Sequence, residues 1–153
     1  MTTVKHDPET TERRRWMSIL AKARIEELEQ AWAGLDAPPN YAMLRRPETG
    51  LVMVRGRAGG VGSQFNLGEM TVTRCAVRLQ DGRVGHAYVA GRDGRRSELA
   101  AVFDALLQDA AARPTLERTV VGPLADGHAR RKGEIEAKAA ATRVDFFTMT
   151  RGN

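Results

Sequence analysis

The chain has 153 residues, 42% hydrophobic and 28% charged, which fits one folded domain long enough to bury a core without staples. Its net charge is +5 and its pI about 10.0, a balance that favours anionic partners: nucleotides, phosphorylated metabolites, nucleic acid or an acidic protein surface. Cys75 is the only cysteine, so an intrachain disulfide and a cysteine metal cluster are excluded. With no apolar signal core in "MTTVKHDPET" and no membrane-length stretch, the expected location is the cytoplasm.

Residues 1–9 read as a polar tail and 10–153 as a single domain. "TTERRRWMSILAKARIEELEQAWAGL" predicts a helix capped by Thr10 or Thr11, with Trp16, Ile19, Leu20 and Ala23, then Leu28, Ala31 and Trp32, near one stripe. Ile25 falls off that stripe, which places a bend or break near Ala23–Arg24. Gly34 and "DAPPN" end the segment. The pattern then changes to short, partly alternating runs: "YAMLRRP" (41–47), "GLVMVRGR" (50–57), "MTVTRCAVRL" (70–79) and "VGHAYVAG" (84–91). "PETG" (47–50) and "QDGR" (80–83) read as turns. In the third run Thr71, Thr73, Cys75, Val77 and Leu79 share one face; Val72, Arg74, Ala76 and Arg78 share the other. "DGRRSELAAVFDALLQDAAAR" (93–113) predicts a helix with a Leu99, Val102, Phe103, Leu106 and Leu107 stripe, stopped by Pro114. "TLERTVVGPL" reads as a strand or extended link. "ADGHARRKGEIEAKAAATR" reads as a polar helix interrupted by Gly127 and Gly133. "RVDFFTMT" (143–150) reads as a strand or docking tail. The expected fold is α+β: an antiparallel sheet of about four strands flanked by helices, with a C-terminal segment that docks on a partner.

Arginine carries nearly all the positive charge, since only Lys5, Lys22, Lys132 and Lys138 are lysines. Its planar fork suits oxyanions and acidic interfaces. "RGRAGGVGSQFNLGEM" (55–70) is the densest candidate. It lacks the Gly-Lys-Ser/Thr ending of a P-loop and the G-x-G-x-x-G spacing. Two readings remain: an anion nest of Gly59, Gly60 and Gly62 amides beside Arg55, Arg57 or Arg74, or a long hairpin connection that serves an interface. His86 is a candidate acid, base or oxyanion donor, or a hydrogen-bonded sheet histidine. Arg92 and Asp93 form an ion pair or a helix cap. Cys75 and His86, on adjacent expected strands, are within reach of a nucleophile–base pairing, although a small core residue is the simpler reading of Cys75. The three histidines lack metal-ligand spacing, so no metal site is assigned. No aromatic RNA platform or zinc finger supports nucleic-acid binding.

The segments "TERRRWMSILA", "RRPETGLVMVRGRAGGVGSQFNLGEMTVTRCAVRL", "GHAYVAGRDGRRSELAAVFDAL" and "RVDFFTMTRG", in that order, closely resemble the PhnG family, the small subunit of the bacterial carbon–phosphorus lyase core complex. The resemblance covers nearly the whole chain. It implies work alongside PhnH, PhnI and PhnJ in phosphonate catabolism. PhnI, supported by PhnG and PhnH, joins an alkylphosphonate to the ribose C1′ of ATP and expels adenine. It further implies an accessory subunit that binds no cofactor of its own, with MgATP the substrate of the complex. Arg55, Arg57, Arg74 or Arg92 would then meet anions or a partner, and His86 would assist the leaving group. The rival readings are direct contribution of active-site residues, and a small nucleotide- or RNA-binding module.

Overall fold

The computed structural model describes residues 7–144. α1 (Pro8–Lys22) is capped by Asp7, whose carboxylate accepts the Glu9 amide, and Pro8 sits in the first turn, where its missing N–H costs nothing. The cap therefore precedes Thr10 and Thr11, and Pro8 and Glu9 of the expected tail are helical. The expected break falls at Ala23–Arg24, both extended, and α2 (Ile25–Ala33) follows. No Pro or Gly marks this break because a distant residue supports it. The Arg96 guanidinium donates to the carbonyls of Ala23 at 2.8 Å and Ala21 at 2.7 Å, groups that an interrupted helix leaves open.

The sheet has three strands rather than four, in the order β1 (Tyr41–Arg57), β2 (Gln64–Leu79), β3 (Val84–Ala90), all antiparallel. "PETG" is not a turn. β1 passes through it with register shifts between Met43 and Arg45 and between Arg45 and Glu48, so Pro47 lies in a bulge of an edge strand, where its missing N–H breaks no ladder bond. The facing of β2 follows its alternation: Thr73, Cys75, Val77 and Leu79 are buried, and Arg74 and Arg78 are exposed.

α3 (Gly94–Leu107) starts on Asp93, which accepts the Arg96 amide at 2.9 Å. It is buried on nearly every side because the sheet lies against one flank and α1 and α2 against others. Leu99, Val102, Phe103 and Leu107 are wholly enclosed with Trp16, Leu20, Leu28, Val77 and Val89. One acid sits in that core. Asp104 is fully buried and accepts from Arg13 Nε at 3.1 Å and Nη2 at 2.8 Å, Trp16 Nε1 at 2.9 Å and the His86 amide at 2.9 Å. Three donor residues on α1 and β3 thus meet one carboxylate on α3, so the charge is paired as a buried charge must be.

The segment after residue 107 differs from expectation. α3 ends well before Pro114, and Pro114 opens a helix instead of closing one. α4 (Arg113–Leu116), a π-helical turn (Glu117–Val121) and α5 (Gly122–Ala141) run on without a strand. Pro114 and Pro123 both lie in first turns, the one helical place that tolerates proline. "TVV" packs inward as helix: Val120 and Val121 are buried. Neither Gly127 nor Gly133 interrupts α5. Gly127 instead permits close approach, since a Cβ there would lie 2.5 Å from Glu27 Oε1. From residue 132 to 144 every residue is exposed. The expected docking tail at 143–150 lies, from residue 145 on, outside the described residues.

Candidate functional site

The helices cover one face of the sheet, so the other is open. On it the register aligns Glu48, Arg74 and Tyr88 across the three strands, with His86 beside them on β3. Arg74 Nε and Nη2 donate to Glu48 Oε2 at 3.2 and 3.0 Å, and Arg45 Nη1 reaches the same oxygen at 2.9 Å. The two guanidiniums hold the Glu48 carboxyl below its usual range, Arg45 first. Hydrogen bonding to Tyr88 and then Glu48 raises Arg74. Arg74 is already engaged by an acid, but its face remains in water, where an anionic group can compete for it.

His86 and Cys75 do not meet. Cys75 pairs with Ala87 and points into the core, whereas His86 pairs with Ala76 and points to the open face. Burial, and next the charge of Glu98, push the Cys75 thiol up to about 11. The thiol lies 3.4 Å from the Arg45 carbonyl and serves as a small core residue. His86 is tied by its backbone amide to Asp104 and keeps its side chain exposed.

The glycine-rich segment is the tip of a long arm. β3 ends opposite Val72, yet β1 and β2 continue as a two-stranded ribbon to Arg57 and Gln64. Gly59 and Gly60 turn the chain with φ of 60° and 78°. The amides of Val61 and Gly62 both point back at the Ala58 carbonyl, at 3.4 and 3.1 Å, and Arg57 Nη1 donates to the Gly62 carbonyl at 3.4 Å. One of the expected nest donors, the Gly62 amide, is therefore spent in closing the turn. Arg55 pairs with Asn66, seven residues along β1 from Glu48, so at about 3.3 Å per residue it stands roughly 20 Å from Arg74. Arg92 is exposed in the β3–α3 connection after Gly91, and Asp93 caps α3 without pairing to it. The expected anion-contacting residues thus form three separate groups: Arg74 on the open face, Arg55 and Arg57 on the arm, Arg92 at the sheet end.

A further concavity of about 820 Å³ lies between the α1–α2 junction and α5. Lys22, Arg24, Lys132 and Lys138 stand there among Glu26, Glu134 and Glu136, and Arg131 pairs with Glu27 at 2.6 Å. Its mixed charge does not select one sign of ligand. Among the described residues no three His, Cys, Asp or Glu side chains gather as a metal cluster would require, and no helix is long and apolar enough to cross a membrane.

The model of the family "Phosphonate metabolism protein PhnG" matches residues 11–152. The chain belongs to the PhnG family. It is also 51% identical over 148 residues to the "Alpha-D-ribose 1-methylphosphonate 5-triphosphate synthase subunit PhnG" of Rhizobium meliloti (strain 1021), a match that covers 95% of this chain and 93% of the relative. Phosphonate metabolism follows from that membership. The arm, the open sheet face and the buried Asp104 cluster all lie within the matched span.

Proposed function

We propose that this PhnG-family chain is an accessory subunit of a ribose 1-methylphosphonate 5-triphosphate synthase, acting with PhnH and PhnI, and with PhnJ in the same core assembly. The observation that carries the reading is the near full-length 51% identity to a protein named as a subunit of that synthase. The dispersal of its anion-binding candidates supports the accessory role. Arg74, Arg55 and Arg92 occupy separate surfaces, with Arg55 seven residues along β1 from the Glu48–Arg74 pair.

The chemistry states what such a subunit must leave to others. A phosphonate oxygen bonds to ribose C1′ of MgATP while the bond to adenine breaks, and adenine leaves with a proton. The transition state needs in-line positioning, neutralised triphosphate charge and a donor at the leaving base. Arg74 and His86 share an exposed face, so the second reading, direct contribution to a composite site, has a definite locus. The test is adenine release from MgATP and methylphosphonate, by the purified chain and by the reconstituted complex. The accessory reading expects release only by the complex, and unchanged turnover when Arg74→Ala or His86→Ala complexes assemble normally. Lost turnover with intact assembly favours the composite site. Release by the chain alone overturns both.

A further inference from the structure

Beyond Val72 the chain builds a structure that water does not favour. Among the described residues it is a two-stranded ribbon with no third strand and no helix layer, and such hairpins are marginal alone. Yet this one displays large apolar side chains. Val52 faces Met70 and Val54 faces Gly68, on the side continuous with Val72 and Tyr88 of the open sheet. A bulge follows at Leu67, which crosses over Gly56, where a Cβ would lie only 2.6 Å from Leu67 Cδ1. Gly56 thus makes room for Leu67 on the strip, with Phe65 paired to Gly56 beside it. Phe65 remains 46% exposed, Leu67 61% and Met70 43%, and on the ribbon's other side Leu51 is 62% and Met53 55% exposed. So long a run of exposed apolar groups marks an interaction surface rather than scattered surface residues.

We propose that this ribbon, residues 51–70, is the docking arm by which the chain joins its assembly, seated in an apolar groove with an acidic rim on a different synthase subunit. The inference rests on the subunit reading above and specifies its contact surface. Three observations select the occupant. First, the arm's charged residues are Arg55, Arg57 and Glu69, an excess of positive charge, and among the described residues neither arginine pairs with a carboxylate. Second, a span of 20 residues reaches the lower end of the roughly 20–30 per side that a standard protein interface uses. Third, a second copy fits poorly: a two-fold contact sets a patch against itself and brings the arginines of both arms together.

The experiment uses the full chain co-expressed with the other synthase subunits of its own source. Leu67→Asp and Phe65→Asp change exposed side chains, so the isolated variants should keep the wild-type thermal midpoint. Affinity for the remaining subunits should fall at least tenfold. Arg55→Glu with Arg57→Glu should slow association and weaken its salt dependence. For the wild type, amide exchange across 51–70 should slow on assembly, a readout that no variant's folding can confound. If wild type and arm variants assemble equally, or the arm amides gain no protection in the complex, the arm proposal is overturned while the subunit reading stands. If the wild-type chain joins no synthase subunit, the subunit reading falls and the proposal with it. A wild-type chain that dimerises alone, and does so through Leu67, would replace the foreign subunit by a second copy and overturn the proposal.

Discussion

Gly85 lies flat against Ala101. A Cβ at position 85 would sit 1.8 Å from the Ala101 carbonyl oxygen and 2.7 Å from the Ala105 amide. β3 therefore rests directly on the α3 backbone, and both groups met there are main chain, which cannot rotate away. Gly85→Ala should cost near the upper end of the ~1–3 kcal/mol that overpacking exacts. At about 2–4 °C per kcal/mol for a chain of this length, the thermal midpoint should drop by roughly 6–12 °C. A thermal melt followed by circular dichroism reads this, and an unchanged midpoint would refute the packing argument.

Gly56 offers the contrast. The atom nearest its added Cβ is Leu67 Cδ1 at 2.6 Å, the free end of an exposed side chain. Leu67 can rotate into water. Gly56→Ala should shift the stability of the isolated chain by no more than about 0.5 kcal/mol, as surface changes do. The same melt measures it, and a loss as large as that of Gly85→Ala would show the arm to be packed in the free chain.

Asp104 should be the most costly polar residue to remove. Asp104→Ala strands the Trp16 indole N–H and the His86 amide, while Arg13, partly exposed and also near the Val84 carbonyl, loses its carboxylate. Each buried donor left unpaired costs about 1–3 kcal/mol. Arg13 is also raised by its hydrogen bond to Asp104. Asp104→Asn keeps an acceptor and should lose less. Urea midpoints of the two variants give the order, and equal midpoints would sink the account.

The raised Cys75 thiol sets a pH dependence. Its folded value of about 11 exceeds the ordinary 9.0, so the native state holds a proton that the unfolded chain has already released. Stability from this group is full below about pH 9 and declines as pH rises toward 11. In the folded chain at pH 7 a thiol reagent should label Cys75 only at the rate of unfolding. Fast labelling at pH 7 would disprove burial, and a Cys75→Ala variant that loses stability between pH 9 and 11 as steeply as the wild type would disprove the assignment.

The sequence patterns that carried best were local. The β2 alternation, the Asp93 cap and the helix break at Ala23 rest on spacing or on one side chain. What failed depended on distant neighbours. Pro47 and Gly50 look like a turn, but a proline in a bulge of an edge strand lets the strand continue. Thr119, Val120 and Val121 favour strands locally, yet core contacts hold the two valines in helix. Pro114 reads as a stop because a proline's position in its turn is invisible until the turn exists. The Asp104 cluster had one sequence signal, a single acid inside the apolar "LAAVFDALL", and its three donor residues come from two other elements. Arg74 and His86 share a face as the alternation allows. Their separation from Arg55 and Arg57 follows from the length of β1, which the misread turn had cut in two.

The two bulges of β1 add length to one strand without disturbing the facing of the sheet. One extra residue falls between Met43 and Arg45 and another between Arg45 and Glu48, each looped out against β2, so the pairing on either side stays in step. Removing the extra residue at either place would leave regular pairing, with Tyr41–Met43 and the arm on the sides of the sheet they now occupy. Chains of this family should therefore differ in length here by single residues, with no matching change elsewhere in the strand.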